Sequence, residues 1–183
     1  MRTAMLWGTV LLGAAIVIAA AAPPGETSGV ATVGTVASRK IDAGVRRMAA
    51  DIASDLSREG PTAWLRYLDN DGRFLMAVDG KLQIDGAAAT KSSLVEFAKY
   101  VPHVEPTWTD LRVDPLAPGV ASLAASYRET QTDTHGHSDL VEGYFTGVAM
   151  RTATGWKLRS AHWSSPVAKQ PGTGAGPSNG SEP

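Results

Sequence analysis

The chain has 183 residues, a formal net charge of −1 and no cysteine. The absence of cysteine excludes disulfides, thiolate catalysis and cysteine-ligated zinc or iron–sulfur centres. Lysine and arginine are scattered rather than clustered, so the charge pattern argues against nucleic acid as a partner. The length suits one domain of ordinary size.

The first segment predicts export. Arg2 precedes an apolar run over residues 5–22, which ends in small residues before two prolines; this is the layout of a secretory signal. We expect cleavage between Ala21 and Ala22, so that residues 1–21 are a signal peptide and the mature protein is periplasmic or extracellular. The alternative is an uncleaved anchor, because the run is near the minimum length for crossing a bilayer. Only in that case is the membrane a partner.

Three further segments complete the predicted organisation. Residues 22–40 form a linker, residues 41–166 form the folded domain, and residues 167–183 are rich in Gly, Pro and Ser. Such a tail has too few apolar side chains to build a core, so we predict that it is disordered.

The first half of the domain predicts three helices and a hairpin. Apolar residues over 41–56 recur at helical spacing, and Pro61 can open a short second helix. Asp79-Gly80 suits the turn of a hairpin in which Val78 opposes Lys81. A third helix over 89–101 directs Leu94, Phe97, Ala98 and Val101 inward.

The second half predicts strands. Residues 107–113, 119–131, 140–151 and 156–165 alternate with turn-forming clusters, one of which is "DPLAPG" over 114–119. The last three strands are long and closely connected, so an antiparallel meander is expected. Helices gathered on one side of such a sheet give an α+β domain of two layers.

The last strand carries a histidine among apolar residues. Regular alternation places Trp156, Leu158, Ser160 and His162 on one face. His162 is therefore either a core histidine with a satisfied ring or the polar tip of a binding cavity.

The predicted elements follow the order helix, helix, hairpin, helix and meander. Two stretches accompany this order: "DGKLQIDG" over 79–86 and "GWKLRSAHWS" over 155–164. Together they resemble the nuclear transport factor 2-like (NTF2-like) superfamily, and within it the SnoaL-like branch. The resemblance covers about residues 41–166. It implies a cone in which the three amino-terminal helices are wrapped by a strongly curved, mainly antiparallel sheet around an apolar cavity. It also implies homodimers that pair sheet against sheet.

The resemblance extends to ketosteroid isomerases, whose general base is an aspartate on the first strand of the hairpin. The corresponding positions here are Met76, Ala77 and Val78, and the first helix has no tyrosine for an oxyanion hole. Proton transfer of the isomerase kind is therefore not expected.

Candidate site residues follow from the predicted cone. We predict His162 as an acid/base or ligand-orienting group, with Tyr127 as a second catalytic candidate. The predicted ligand-binding residues are Trp64, Phe97, Tyr127, Trp156 and His162.

No cofactor and no metal site are predicted. His135 and His137 lie between Asp133 and Asp139 at a hairpin tip, where these residue types favour a turn and where a third close ligand is lacking. Asp69 and Asp71 resemble a calcium loop only in part, and we interpret them as solvated turn residues.

Three functions remain open at this stage. The first is an exported domain that binds a small, largely apolar ligand in a conical cavity. The second is a cofactor-free acid/base enzyme, such as a dehydratase or cyclase, that uses His162. The third is an assembly module of the cell envelope that dimerises without a ligand, its cavity filled by side chains. A filled cone with an exposed apolar sheet face would favour the third.

Overall fold

A computed structural model of the chain describes residues 33–69 and 71–166. The elements are α1 (Thr35–Glu59), a 3-10 helix (Pro61–Arg66), β1 (Leu75–Val78), β2 (Lys81–Asp85), α2 (Ala87–Tyr100), β3 (His103–Ala117), β4 (Val120–Thr132), β5 (Ser138–Thr152) and β6 (Gly155–Ser164). The predicted signal peptide and tail lie outside the described residues. Because α1 begins at Thr35, residues 35–40 of the predicted linker are helical.

The strands form one six-stranded sheet in the order β2-β1-β6-β5-β4-β3. Only β1 and β6 run parallel, so the sheet is mainly antiparallel, as predicted. Register shifts interrupt three of the strand pairs, and such bulges bend a strand. The helices pack against one side of the resulting curved sheet, which confirms the α+β class.

The amphipathic stripe of α1 is the clearest agreement between sequence and structure. Its predicted apolar positions Ile41, Val45, Met48, Ile52 and Leu56 are all buried. The hairpin turn also agrees, because Asp79 and Gly80 both have positive φ and Val78 pairs with Lys81. Local periodicity and turn chemistry therefore determine these two elements.

Strand β3 is longer than predicted. It runs through Pro106 and Pro115, and the predicted turn over 114–119 shrinks to Pro118 and Gly119. Proline lacks a backbone N–H, but β3 is an edge strand in which every second N–H has no neighbour to bind. The strand therefore continues through both prolines. Because proline cannot donate a backbone hydrogen bond, this edge of the sheet does not readily pair with a further strand.

Helix α2 is shallowly packed. Thr90 is its one buried residue, while Phe97 and Tyr100 are 36% and 65% exposed. The prediction that Phe97 points inward is wrong, because α2 rests on the 3-10 helix and β2 rather than deep in the sheet.

None of the helices among the described residues combines the length and apolar character needed to cross a membrane.

Candidate functional site

The curved sheet has two faces of different chemistry. The inner face meets the helices through Phe145, whose ring centroid lies 4.8 Å from that of Trp163 and 5.3 Å from that of Trp108. Trp163 also meets Trp64 of the 3-10 helix edge-on at 5.9 Å. The indole N–H of Trp108 donates to the carbonyl oxygen of Ala49 at 3.1 Å, which ties α1 to β3. Four aromatic rings thus occupy the interior of the cone.

These rings leave almost no space. The void between the helices and the inner face measures about 10 Å³, at the lower limit of the ~10–15 Å³ that a cavity needs to hold one water molecule. Its walls are Ala49, Ile52, Trp64, Trp108, Leu111, Leu123, Phe145 and Leu158. The cone is filled by its own side chains.

His162 lies on the outer face, away from the helices. Its neighbours across the sheet are Thr146 of β5 and Ala77 of β1. The ring borders an open surface groove of about 300 Å³, whose walls include Leu75, Val148 and Ser160. The prediction that His162 shares a face with Trp156 and Leu158 is wrong.

A β-bulge at Arg159 is the physical reason. Val148 pairs with Ser160 and Ala149 pairs with Leu158, so Arg159 has no partner on β5. One extra residue reverses the alternation. Upstream of the bulge Trp156 and Leu158 are buried; downstream of it Ala161 and Trp163 join the core instead of His162.

The bulge is held by an ion pair from a distant part of the chain. The Arg159 guanidinium donates to Asp69 at 2.6 Å and to Asp71 at 2.8 Å. Asp69 is only 8% exposed. The interpretation of Asp69 as a solvated turn residue is therefore wrong, because its carboxylate neutralises the bulged arginine.

The five predicted ligand-binding residues are not brought together. Each borders a different space: Trp64 the small interior void, Phe97 a shallow patch on α2, Tyr127 a surface cleft of about 500 Å³, Trp156 a pocket of about 240 Å³ and His162 the outer groove. The catalytic roles of His162 and Tyr127 stay predictions.

We define the outer face as the positions of β1, β4, β5 and β6 that point away from the helices in three adjacent cross-strand rows. These positions are Ser126, Tyr144, Ser164, Ala124, Thr146, His162, Ala77, Ser122, Val148, Ser160 and Leu75. None is Asp, Glu, Lys or Arg. Tyr144 and Leu75 are 45% and 44% exposed, so apolar area faces outward.

Charged residues of both signs border this face. Arg128 and Glu142 pair across β4 and β5 at 3.3 Å beside the Tyr144 row. Arg112 and Asp114 lie on β3, opposite Ala124 and Ser122. An uncharged centre with a rim of mixed charge is the usual composition of a protein interface.

Buried titratable groups cluster on the inner face where β4 nears its end. Burial raises the pKa of Tyr127 and the pKa of Glu129 above their usual values. The Gln131 amide donates to the Glu129 carboxylate at 2.7 Å and partly offsets the effect of burial. Glu129 therefore has an unfavourable environment for its charge at neutral pH.

Close backbone approach shapes the same region. A Cβ at Gly143 would collide with the carbonyl oxygen of Ser164 and crowd the Tyr127 ring. Only glycine lets β6 end against β5 here. Beyond it, the backbone N–H of Ser165 donates to Asp79 at 2.7 Å, which fastens the end of β6 to the hairpin turn.

The histidine-rich tip forms a turn. The Asp133 carboxylate accepts the backbone N–H groups of His135 at 2.7 Å and His137 at 2.9 Å. Among residues 33–69 and 71–166, no group of three or more His, Cys, Asp or Glu side chains is placed to hold a metal ion.

Comparisons with known proteins identify the fold. A candidate scytalone dehydratase from Novosphingobium aromaticivorans superposes with a TM-score of 0.65 at 12% identity, covering 73% of this chain and 89% of that one. An NTF2-like superfamily protein from Salmonella enterica gives 0.61 at 12% identity, covering 75% and 98%. The hexachlorocyclohexane dehydrochlorinase LinA type 2 gives 0.60 at 10% identity, covering 73% and 90%.

No family model and no curated sequence matches the chain. The structural neighbours are thus NTF2-like and SnoaL-like proteins, and the described domain has the NTF2-like fold, as the sequence resemblance implies. At these identities the likeness establishes fold alone.

Proposed function

We propose that this protein is an exported assembly module that forms a homodimer through the outer face of its sheet and holds no ligand in its cone. Export rests on Arg2 and the apolar run over residues 5–22. The single observation that carries the assembly role is the contrast between an interior void of about 10 Å³ and an exposed sheet face without charged side chains.

The size of the outer face fits a second copy of the chain. Four strands spaced ~4.8 Å apart and three rows spaced ~6.6 Å apart along them span on the order of 400 Å². A standard protein interface buries about 800 Å² on each partner. The rim residues just beyond the face supply the remaining area.

The charges of the rim also favour self-association. A twofold axis brings the same patch of two subunits together, so a patch of one sign would repel itself. Here Arg128 lies beside Glu142, and Arg112 lies near Asp114 along β3. Each sign can therefore meet its opposite across the axis. The small side chains of Ala124, Ser122 and Ser160 allow close sheet-on-sheet packing.

Ligand binding in the cone is the second candidate. It requires the helical walls of the void to move, and these walls are Ala49 and Ile52 of α1 and Trp64 of the 3-10 helix. Two of the structural neighbours are named for dehydratase and dehydrochlorinase activities. An acid/base enzyme using His162 would instead need its substrate in the outer groove.

Native mass spectrometry of the chain purified from its own host tests the proposal. We expect the mass of a dimer with no added small molecule. Thr146→Arg should give a monomer, because Thr146 is exposed at the centre of the outer face and two arginines there would repel each other. Ala50→Arg, on an exposed position of α1, should leave the dimer intact.

Two outcomes would contradict the proposal. A monomeric wild-type chain would remove the interface, and a bound small molecule of defined mass would favour the second candidate. The same spectrum measures whether residues 1–21 have been removed.

A further inference from the structure

The pocket that Trp156 borders lies where the β5–β6 turn meets α1, outside both the cone interior and the outer face. Its volume is about 240 Å³. The walls come from four parts of the chain and are Gly44, Arg47, Met48, Asp51, Arg66, Tyr67, Arg151, Thr154, Gly155, Trp156 and Lys157. Four of these side chains are cationic and one is anionic, although the whole chain has a net charge of −1.

Arg66 is already neutralised. Its guanidinium donates to Glu59 at 2.5 Å and to Asp55 at 2.6 Å. The Tyr67 hydroxyl donates to the same Asp55 carboxylate, at 2.5 Å. This network braces α1 against the 3-10 helix, and it explains Arg66 without any ligand.

The other three cations are paired less completely than Arg66. Arg151 makes no ion pair with any residue that the structure describes. Lys157 donates to the backbone carbonyl oxygen of Arg66 rather than to a carboxylate. Arg47 is 3.9 Å from Asp51, at the limit of an ion pair, with 83% of its side chain exposed. Asp51 is the one acid that lines the pocket, so three cations face a single carboxylate there.

Trp156 provides an independent observation. Trp156 is only 9% exposed, and its indole N–H donates to no polar atom of the described residues. No fully buried side-chain nitrogen or oxygen among these residues lacks a partner, so this N–H reaches solvent through the pocket. An acceptor that enters the pocket can take the place of solvent at this donor. By contrast, Trp108 donates to the carbonyl oxygen of Ala49. The Trp156 indole borders the cationic pocket, so an acceptor for it belongs in that space.

Gly44 keeps this nitrogen open. A Cβ at position 44 would collide with Nε1 of Trp156. Gly44 lies inside α1, where glycine is unfavourable relative to alanine, and close approach of the indole is the reason for its presence. The glycine, the solvent-accessible indole N–H and the excess of cations over acids all belong to one cavity.

We propose that this pocket binds a compact polyvalent oxyanion, the phosphate group of a small organic molecule. The ion would accept from the Trp156 indole N–H and lie between Arg47, Arg151 and Lys157. Charge-assisted hydrogen bonds from arginine and lysine suit phosphate oxygens. The volume exceeds what a single phosphate group fills, which leaves room for a small organic portion.

Inorganic pyrophosphate is the probe, with sodium chloride at matched ionic strength as the reference. We expect it to shift the indole ¹⁵N–¹H resonance of Trp156, assigned with Trp156→Phe, and to raise the Tm of the full chain. Arg47→Gln with Arg151→Gln should weaken pyrophosphate binding at least tenfold. Both side chains are exposed, so this variant should fold.

A matched double variant controls for net charge. Arg39→Gln with Lys91→Gln removes two exposed positive charges elsewhere and should leave binding unchanged. If Trp156→Phe does not fold, the Tm series alone decides. No response of the wild type to pyrophosphate, or equal weakening in both double variants, would overturn the proposal.

Discussion

The two faces of one sheet use the same strands for opposite purposes. On β5, Phe145 points inward and is 2% exposed, while its neighbour Tyr144 points outward and is 45% exposed. The inner face buries aromatic rings until the void has room for one water molecule at most. The outer face presents small uncharged side chains with little to cover them. In this chain the interior of the cone is packed with side chains, whereas the outer face is open.

The bulge at Arg159 sets which residues lie on which face at the end of the chain. Without it, regular alternation would bury His162 and expose Trp163. The structure does the reverse, because Arg159 is drawn out of register toward Asp69 and Asp71. The difference between the two faces therefore depends on one ion-paired residue as well as on the hydrophobic pattern.

The largest expected effect is on the inner face. Phe145→Ala should destabilise the fold by about 3–5 kcal/mol, because it opens a cavity among Trp108, Trp163 and the helices. Tyr144→Ala is the matched control on the outer face, and at concentrations where the chain is monomeric it should cost less than about 1 kcal/mol. Urea unfolding followed by tryptophan fluorescence measures both. Equal losses would contradict the assignment of the two faces.

The next effect concerns the bulge. Arg159→Ala should destabilise the fold and lower its unfolding midpoint, since it leaves the nearly buried Asp69 carboxylate without a cation. The loss should be smaller than for a fully buried pair because Arg159 keeps 20% of its side chain exposed. Arg112→Ala, an exposed arginine on β3, is the control and should change the unfolding midpoint little. If the unfolding midpoint of Arg159→Ala is as high as that of Arg112→Ala, Arg159 does not hold the bulge.

The smallest effect is pH-dependent. Burial raises the pKa of Glu129 in the folded state, so folding is disfavoured once the pH rises above the unfolded value near 4.5. Glu129→Gln should therefore raise the Tm at pH 7, and the gain should shrink as the pH falls below the folded-state pKa.

The matched control for Glu129 is Glu142→Gln on the outer side of the sheet, where the carboxylate is exposed and paired with Arg128. Its effect on Tm should be small at every pH. A Glu129→Gln variant that is less stable than the wild type at pH 7 would contradict the account of the inner face.

Sequence reasoning was sufficient wherever a local pattern decides the structure. The stripe from Ile41 to Leu56 and the Asp79-Gly80 turn need only helical periodicity and positive φ. The order of elements was enough to indicate the NTF2-like fold. These features depend on residues that are close together in the chain.

The site could not be predicted in the same way. The bulge at Arg159 depends on Asp69, which lies ninety residues earlier, and no local pattern shows that pairing. In "ASLAASY" of β4 both faces carry small residues, so alternation does not reveal which side is buried. Whether a cone is hollow depends on the rings of Trp64, Trp108, Phe145 and Trp163 meeting in space. Their spacing in the sequence does not report this.

Chemical modification of histidine by diethyl pyrocarbonate, read by mass spectrometry, tests the central claim most directly. His162 lies in the middle of the outer face, while His135 and His137 are exposed at the β4–β5 turn and serve as internal references. We expect His162 to react slowly in the wild-type chain and much faster in Thr146→Arg, with both reference histidines unchanged. If His162 reacts at the same rate in the two proteins, the outer face is not covered by a second copy.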